Sequence, residues 1–116
     1  MTNDRVFKMK VSDVYPLLIQ KVERKGKTKM DVDIVTQWLT GYDAEGLQSQ
    51  LDNGASYEQF FAEAPQINPN ADKVTGVICG HRVELISDPL MQNIRRLDKL
   101  VDEVAKGRAM EKILRK

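Results

Sequence analysis

Cys79 and His81 are the two residues whose spacing could bring a nucleophile beside a base. A thiol becomes nucleophilic when a neighbouring base or cation favours the thiolate, and His81 and Arg82 both follow Cys79 closely. On a strand, residues i and i+2 point to the same side, whereas on a helix they diverge by about 200°. No third residue that would orient the imidazole is evident. We therefore expect a small buried cysteine and a capping or surface histidine rather than a catalytic dyad.

Other chemistry-bearing patterns are sparse. The chain contains one histidine and one cysteine, too few for a zinc site built from three or four such ligands. Asp31 and Asp33 lie two residues apart in a predicted helix and so face different directions. Phosphate-binding loops, dinucleotide-binding loops, Cys-x-x-Cys and Gly-x-Ser-x-Gly motifs are all absent from the sequence. We predict no catalytic residue, no metal ligand and no cofactor.

Aromatic residues at a helix end provide the candidate ligand pocket. Trp38 and Tyr42 bracket a predicted helix stop, and aromatic side chains in such a place can line a small-molecule pocket. At helical spacing they can equally belong to the core. The pocket predicted from the sequence consists of Trp38, Tyr42, Cys79 and His81.

The net charge of +1 hides three segments of different sign. Residues 1–29 contain eight basic and three acidic side chains, and residues 73–116 contain ten basic and six acidic ones. Residues 30–72 carry eight acidic side chains and no lysine or arginine. Either this acidic segment packs beside its basic flanks, so that the charges offset each other, or it forms a face that attracts a basic partner or a cation.

A nucleic-acid interface is an alternative that the spacing of the helices raises. The helix after Thr28, the turn at Gly41 and the helix after Asp43 have helix-turn-helix spacing. The second helix contains acidic residues and no lysine or arginine, whereas phosphate contacts require cations there. The basic segment 21–29 could still contact a phosphate backbone, or lie in solvent at a helix end. Nucleic acid is the less favoured partner.

The elements that must position these residues are mostly helices. Apolar residues recur three and four apart between capping residues and glycine or proline stops, as amphipathic helices require. The longest such helix follows Asp88-Pro89, and its apolar stripe suits an intramolecular contact or a homodimer. The predicted caps are Ser12, Thr28, Asp43, Ser56 and Asp88, and the predicted stops are Gly26, Gly41, Gly54, Pro65 and Gly107.

Residues 74–86 have a mixed pattern. Val74, Val77 and Ile78 keep helical spacing, but glycines and β-branched residues favour extended structure. We predict a short helix from about Pro69 to Gly80, followed by an extended Arg82–Ile86 that pairs with Arg5–Met9.

Six sequence motifs occur in order from about Val14 onwards. The motifs are WLTGY at 38–42, FFAEAP at 60–65, GVICG at 76–80, DPLMQ at 88–92, LDKL at 97–100 and MEKILRK at 110–116. In order and spacing they resemble a bacterial family, domain of unknown function 2200. The resemblance implies a small, single-domain, mainly helical bacterial protein, and it transfers no activity or site residue.

Composition and length complete the prediction. With 116 residues, 41% of them hydrophobic and 30% charged, the chain suits one soluble domain, and no apolar run is long enough to span a membrane. A single cysteine and a start without a signal-peptide pattern favour a cytoplasmic location. We predict one domain over residues 1–116, mainly α, built as a small orthogonal bundle of five or six helices with at most one short two-stranded β pairing.

The favoured function is a non-enzymatic binding or protein-interaction module with an unidentified protein or small-molecule partner. One alternative is nucleic-acid binding through residues 21–29. Another is a small-molecule-binding protein or enzyme with its site near Trp38, Tyr42, Cys79 and His81.

Overall fold

Helices dominate residues 4–115, the part of the chain that the computed structural model describes. Over this range there are seven α-helices, of which α1 and α7 are single turns of four residues. Two strands form one antiparallel hairpin, and two short 3-10 turns flank it. The helices are α1 (Asp4–Phe7), α2 (Val11–Glu23), α3 (Lys29–Thr40), α4 (Ala44–Asp52), α5 (Tyr57–Ala62), α6 (Pro89–Ala105) and α7 (Met110–Ile113), and the strands are β1 (Val77–Ile78) and β2 (His81–Arg82). The predicted mainly α fold is confirmed.

Helix α6 is the centre of the core. Its apolar stripe packs against α2, α3, α5 and α7, and Leu97, Leu100 and Val101 are fully buried. Helix α6 also supports β1 and the 3-10 turn Val83–Leu85, so the hairpin lies on the surface of this helix. Within the described residues, no helix combines the length and apolar character needed to cross a bilayer.

Side-chain caps set the starts of four helices where the sequence places them. Each capping oxygen accepts a backbone N–H from the first turn, which satisfies one of the donors that a helix leaves unpaired. At α3 the capping box is complete, because the carboxylate of Asp31 also accepts the N–H of Thr28 at 3.0 Å. The confirmed caps are Thr28 for α3, Asp43 for α4, Ser56 for α5 and Asp88 for α6.

Gly41 ends α3 because its backbone adopts a left-handed conformation, with φ of +81°. A Cβ at this position would lie 2.8 Å from the backbone oxygen of Gln66. The close approach lets the loop after α5 donate from the N–H of Gln66 to the carbonyl of Thr40 at 3.2 Å. Glycine is therefore required both by the conformation and by the space.

The N-terminal segment differs from the prediction in two ways. Helix α2 begins at Val11 with Lys10 as its N-cap residue and no side-chain cap, so the predicted Ser12 cap is wrong. The predicted pairing of Arg5–Met9 with Arg82–Ile86 is wrong as well. Met9 and Val11 instead bond to the turn before α5, where the carbonyl of Met9 accepts the N–H of Tyr57 at 2.9 Å. This pairing fixes the start of α2 from outside the helix.

Residues 69–86 also differ from the structure predicted for them. The predicted helix from Pro69 to Gly80 is wrong, since only Ala71–Lys73 forms a 3-10 turn and Val77–Ile78 is a strand. Arg82 belongs to β2, and Val83–Leu85 forms another 3-10 turn rather than a strand. Five residues after Ala71 the chain reaches Gly76, whose φ of +112° is unsuited to a helix.

Two buried polar groups hold helices together. The hydroxyl of Tyr15 on α2 donates a hydrogen bond to Asp33 of α3. The pKa of Tyr15 is raised above its usual value, mainly by burial and to a lesser extent by this bond. Glu103 of α6 is 5% exposed and accepts two bonds from Arg115 at 2.7 and 2.8 Å and one from Arg108 at 3.1 Å. The bidentate pair fixes the segment after α7 against α6.

Candidate functional site

Cys79 and Gly80 form the two-residue turn of the hairpin. Ile78 pairs with His81 and Val77 with Arg82, which leaves only these two residues in the loop. Their φ angles are +53° for Cys79 and +80° for Gly80. Two positive φ values are typical of the I′ turn, which matches the twist of a hairpin but strains most residues other than glycine, asparagine and aspartate. Cys79 is therefore held, exposed, in a conformation that cysteine rarely adopts.

Three side chains of α6 attach the hairpin and the 3-10 turn that follows it to that helix. Lys99 donates to the carbonyl of Val77 at 3.3 Å, and Gln92 donates to the carbonyl of Val83 at 3.1 Å. Nη1 of Arg95 lies 3.4 Å from the sulfur of Cys79. The hairpin thus stands against α6 with its turn close to Arg95.

A cleft opens between the hairpin and the first turns of α6. Its volume is about 520 Å³. The lining combines two guanidinium groups and one imidazole, from the hairpin and α6, with apolar side chains from the 3-10 turn and α6. The lining residues are Gly80, His81, Arg82, Leu85, Ile86, Ser87, Asp88, Met91 and Arg95.

Glu84 orients the guanidinium of Arg82 at the edge of this cleft. Nε of Arg82 donates to Oε2 of Glu84 at 2.6 Å, while Oε1 of Glu84 accepts the N–H of Gly76 at 3.0 Å. The backbone bond from Gly76, then one from the N–H of Glu84 itself, then the bond from Arg82 hold the pKa of Glu84 down to about 2. Glu84 therefore stays ionised and ties β2 to the start of the hairpin.

One guanidinium nitrogen of Arg95, Nη1, contacts two partners. Nη1 donates to Asp98 at 3.0 Å as well as approaching Cys79. Asp98 is largely buried, and this burial raises the pKa of its carboxyl although Arg95 opposes the shift. The Arg95 side chain is 26% exposed. It is held between the interior and the cleft.

Asp88 is the acidic side chain in the lining. Its Oδ1 accepts the N–H of Met91 at 3.0 Å and so caps α6. The carboxylate is committed to the helix N-terminus, whose partial positive charge it offsets. Two arginines and one carboxylate leave the lining with a positive balance.

The four residues of the sequence-predicted pocket fall into two places. Tyr42 is buried against Phe60 and donates its hydroxyl to the Phe60 carbonyl at 2.7 Å, and burial raises the pKa of Tyr42 to about 12. Trp38 is half-buried and packs on the same core. Of the predicted four, only His81 lines the hairpin cleft, and Cys79 borders it through Arg95. The structure does not bring all four to one cavity.

The thiol of Cys79 and the imidazole of His81 do not meet in a hydrogen bond among the described residues. Both side chains are exposed, so the expected burial of the cysteine is wrong: Cys79 lies in the surface turn of the hairpin. The polar neighbour of its sulfur is Arg95. The sequence identifies Arg82 as a cation near this cysteine, but Arg95 could not be found that way, because it lies on another element 16 residues further along the chain. Only the packing of the hairpin on α6 reveals it.

The acidic segment forms an exposed surface on α4, α5 and their ends. None of the ion pairs found within residues 4–115 includes a carboxylate of this surface, so local ion pairing does not neutralise it. Nor do three His, Cys, Asp or Glu side chains of the described residues approach as metal ligands would. The exposed carboxylates belong to Asp43, Glu45, Asp52, Glu58 and Glu63.

The basic segment 21–29 is partly engaged within the fold. Lys21 pairs with Asp102 at 3.3 Å, and Lys29 pairs with Asp33 at 2.8 Å. Arg24, Lys25 and Lys27 are exposed at the turn between α2 and α3, where cations favour the C-terminal end of a helix.

Comparison with known proteins identifies the family. The sequence model of DUF2200, described as an uncharacterized protein conserved in bacteria, matches residues 5–115. The chain belongs to this family. Among solved structures, the DUF2200 chain is similar to the crystal structure of uncharacterized protein SP1917, with 48% sequence identity and a TM-score of 0.91. The match covers 98% of this chain and 93% of that one. No curated protein matches the sequence.

Proposed function

We propose that this DUF2200 protein is a binding module whose ligand is a small molecule held in the hairpin cleft, between β1–β2 and the start of α6. The observation that carries the proposal is the cleft itself. Its volume of about 520 Å³ lies within the range of about 300 to 1,000 Å³ that is usual for small-molecule sites. Its lining also mixes apolar contacts with a few polar groups, as such sites do.

The titratable side chains of the lining favour binding over proton transfer. The guanidinium groups of Arg82 and Arg95 offer hydrogen-bond donors and no acceptor, so they are suited to binding rather than to general-base catalysis. Asp88 is occupied as the cap of α6. The imidazole of His81 remains, without a hydrogen-bonded nucleophile among the described residues. This set can orient and hold a ligand but offers no paired acid and base.

A rim substitution tests the location of the site. Ser87 lines the cleft and is exposed, so Ser87→Trp should fill the cleft without disturbing the core. Ser49→Trp is the matched control, because Ser49 is also exposed but lies on α4, outside the lining. A metabolite screen by thermal shift should return the same stabilising compounds for wild type and Ser49→Trp, and those compounds should lose their effect on Ser87→Trp.

Two results would count against the proposal. Compounds that stabilise Ser87→Trp as strongly as wild type would place the ligand elsewhere. A screen that yields no compound binding to wild type would remove small-molecule binding altogether.

A further inference from the structure

We infer that the ligand of the hairpin cleft is an amphipathic anion, a carboxylate or phosphate monoester joined to a short apolar body. This inference rests on the proposed function of the cleft, and it adds the chemical class of the ligand.

The guanidinium of Arg82 supplies the first half of the anion site. Glu84 engages its Nε, and the two Nη nitrogens have no partner among residues 4–115. The Arg82 side chain is 57% exposed, so these donors are accessible to a molecule in the cleft. A planar guanidinium fixed at one nitrogen presents the remaining donors in the fork that suits a carboxylate or phosphate.

Arg95 supplies a second cation from the helix side of the cleft. Its Nη1 is used by Asp98 and Cys79, which leaves Nε and Nη2 without a partner among the described residues. Because Arg95 is more enclosed than Arg82, its charge is less screened by solvent. Two guanidiniums from different elements thus converge on one cleft, with His81 beside them.

The acidic groups around the cleft offset much of the charge of the two arginines but leave guanidinium donors free. Glu84 and Asp98 each accept from one arginine nitrogen, at 2.6 and 3.0 Å, and do not line the cleft. Asp88 does line it, but the carboxylate faces the helix N-terminus through its bond to the N–H of Met91. The free N–H donors of the two guanidiniums therefore favour a negative group at the arginine side, and the carboxylate of Asp88 disfavours it at the base of α6.

The apolar part of the lining requires a ligand larger than an inorganic anion. Leu85 is 75% exposed, an unusual state for a large apolar side chain, and it stands beside the half-buried Ile86 and the buried Met91. An apolar ligand body placed here would remove the exposed surface of Leu85 and Ile86 from water, at about 25 cal/mol per Å² of apolar surface. The cleft thus matches a molecule with one charged end and one apolar end.

Three matched six-carbon probes, together with inorganic phosphate, test the inference. We would titrate hexanoate, hexyl phosphate, hexanamide and inorganic phosphate into wild-type protein by calorimetry at low ionic strength. Hexanoate and hexyl phosphate should bind about tenfold more tightly than hexanamide, the difference expected for a charge-assisted hydrogen bond. Inorganic phosphate alone should bind more weakly than hexyl phosphate, and the ratio between hexanoate and hexyl phosphate shows which anion is preferred.

Arg82→Gln isolates the guanidinium. This variant should lose about tenfold in affinity for hexanoate or hexyl phosphate and keep its affinity for hexanamide, because only the charged contact is removed. Arg24→Gln is the control, since Arg24 is an exposed cation at the end of α2, outside the cleft lining. It changes the net charge equally and should leave all four affinities unchanged.

The outcomes separate the ligand class from the site. Equal affinity for hexanoate and hexanamide, with both lost in Ser87→Trp, would overturn the anionic ligand and leave the cleft as the site. Binding of the anions that is unaffected by Ser87→Trp would overturn both proposals. An equal loss in Arg82→Gln and Arg24→Gln would assign the effect to net charge and would also overturn the inference.

Discussion

Replacing Arg115 with glutamine should lower the free energy of unfolding by about 2 to 3 kcal/mol. Two nitrogens of Arg115 donate to the two carboxylate oxygens of Glu103 at 2.7 and 2.8 Å, and Glu103 is 5% exposed. Removing one partner of a buried ion pair costs about 3 to 5 kcal/mol when the other charge is left alone. Arg108 still donates to Glu103 at 3.1 Å, so the expected loss lies below that range.

Urea denaturation measures this loss directly, and heat provides a second estimate. For a domain of 116 residues, about 2 to 3 kcal/mol corresponds to a fall in Tm of roughly 8 to 12 °C. Arg108→Gln is the matched control, because that side chain is 45% exposed and makes one bond to the same carboxylate. Its cost should stay below about 1 kcal/mol.

A double variant tests the cause. Replacing Glu103 together with Arg115, both by glutamine, removes the buried charge as well as its partner, so part of the stability lost in Arg115→Gln should return. The reasoning is refuted if Arg115→Gln costs no more than Arg108→Gln, because the bidentate contact would then contribute nothing beyond an exposed pair.

Three further predictions concern the hairpin and the end of α3. Cys79→Asn should stabilise the protein by about 0.5 to 1 kcal/mol in urea denaturation, since asparagine tolerates the φ of +53° and Asn-Gly suits an I′ turn. A loss of stability would contradict the backbone strain inferred for Cys79. The pKa of Glu84 falls from 4.5 to about 2 on folding, so its stabilising effect is present above pH 4.5 and is lost as the pH falls towards 2. Glu84→Gln should flatten the pH dependence of stability in that window, and an unchanged slope would argue against the bond network around it. Gly41→Ala should lower the free energy of unfolding by about 2 kcal/mol or more, because its Cβ would lie 2.8 Å from the backbone oxygen of Gln66. Gly26→Ala is the control, since Gly26 has a φ of +79° but open space around it, and it should cost about 1 kcal/mol. Equal losses measured by denaturation would show that the close approach at Gly41 is unimportant.

Local signals explain which parts of the fold could be predicted from the sequence. Thr28, Asp43, Ser56 and Asp88 act within one helical turn, so residue type and spacing suffice to place them. Ser12 has the same residue type but fails as a cap, because the start of α2 is fixed by the backbone of residues 55–57, which are distant in the chain. A sequence pattern contains no information on that contact.

The candidate site depends on contacts of this non-local kind. Strands of two residues are too short to show a period of two, so β1 and β2 escape detection. Cys79-Gly80 is a weak hairpin signal beside the usual Asn-Gly. The convergence of Arg82 and Arg95 requires the hairpin to pack on α6, which neither segment indicates alone. Trp38 and Tyr42 have the expected aromatic character but serve the core.

Backbone amide shifts recorded by NMR during a titration with hexanoate test the central claim most directly. The account predicts that the shifted amides cluster at residues 80–82, 85–88 and 91, which line the hairpin cleft. Shifts confined to α4 and α5, or scattered without saturation, would contradict a ligand site between the hairpin and α6.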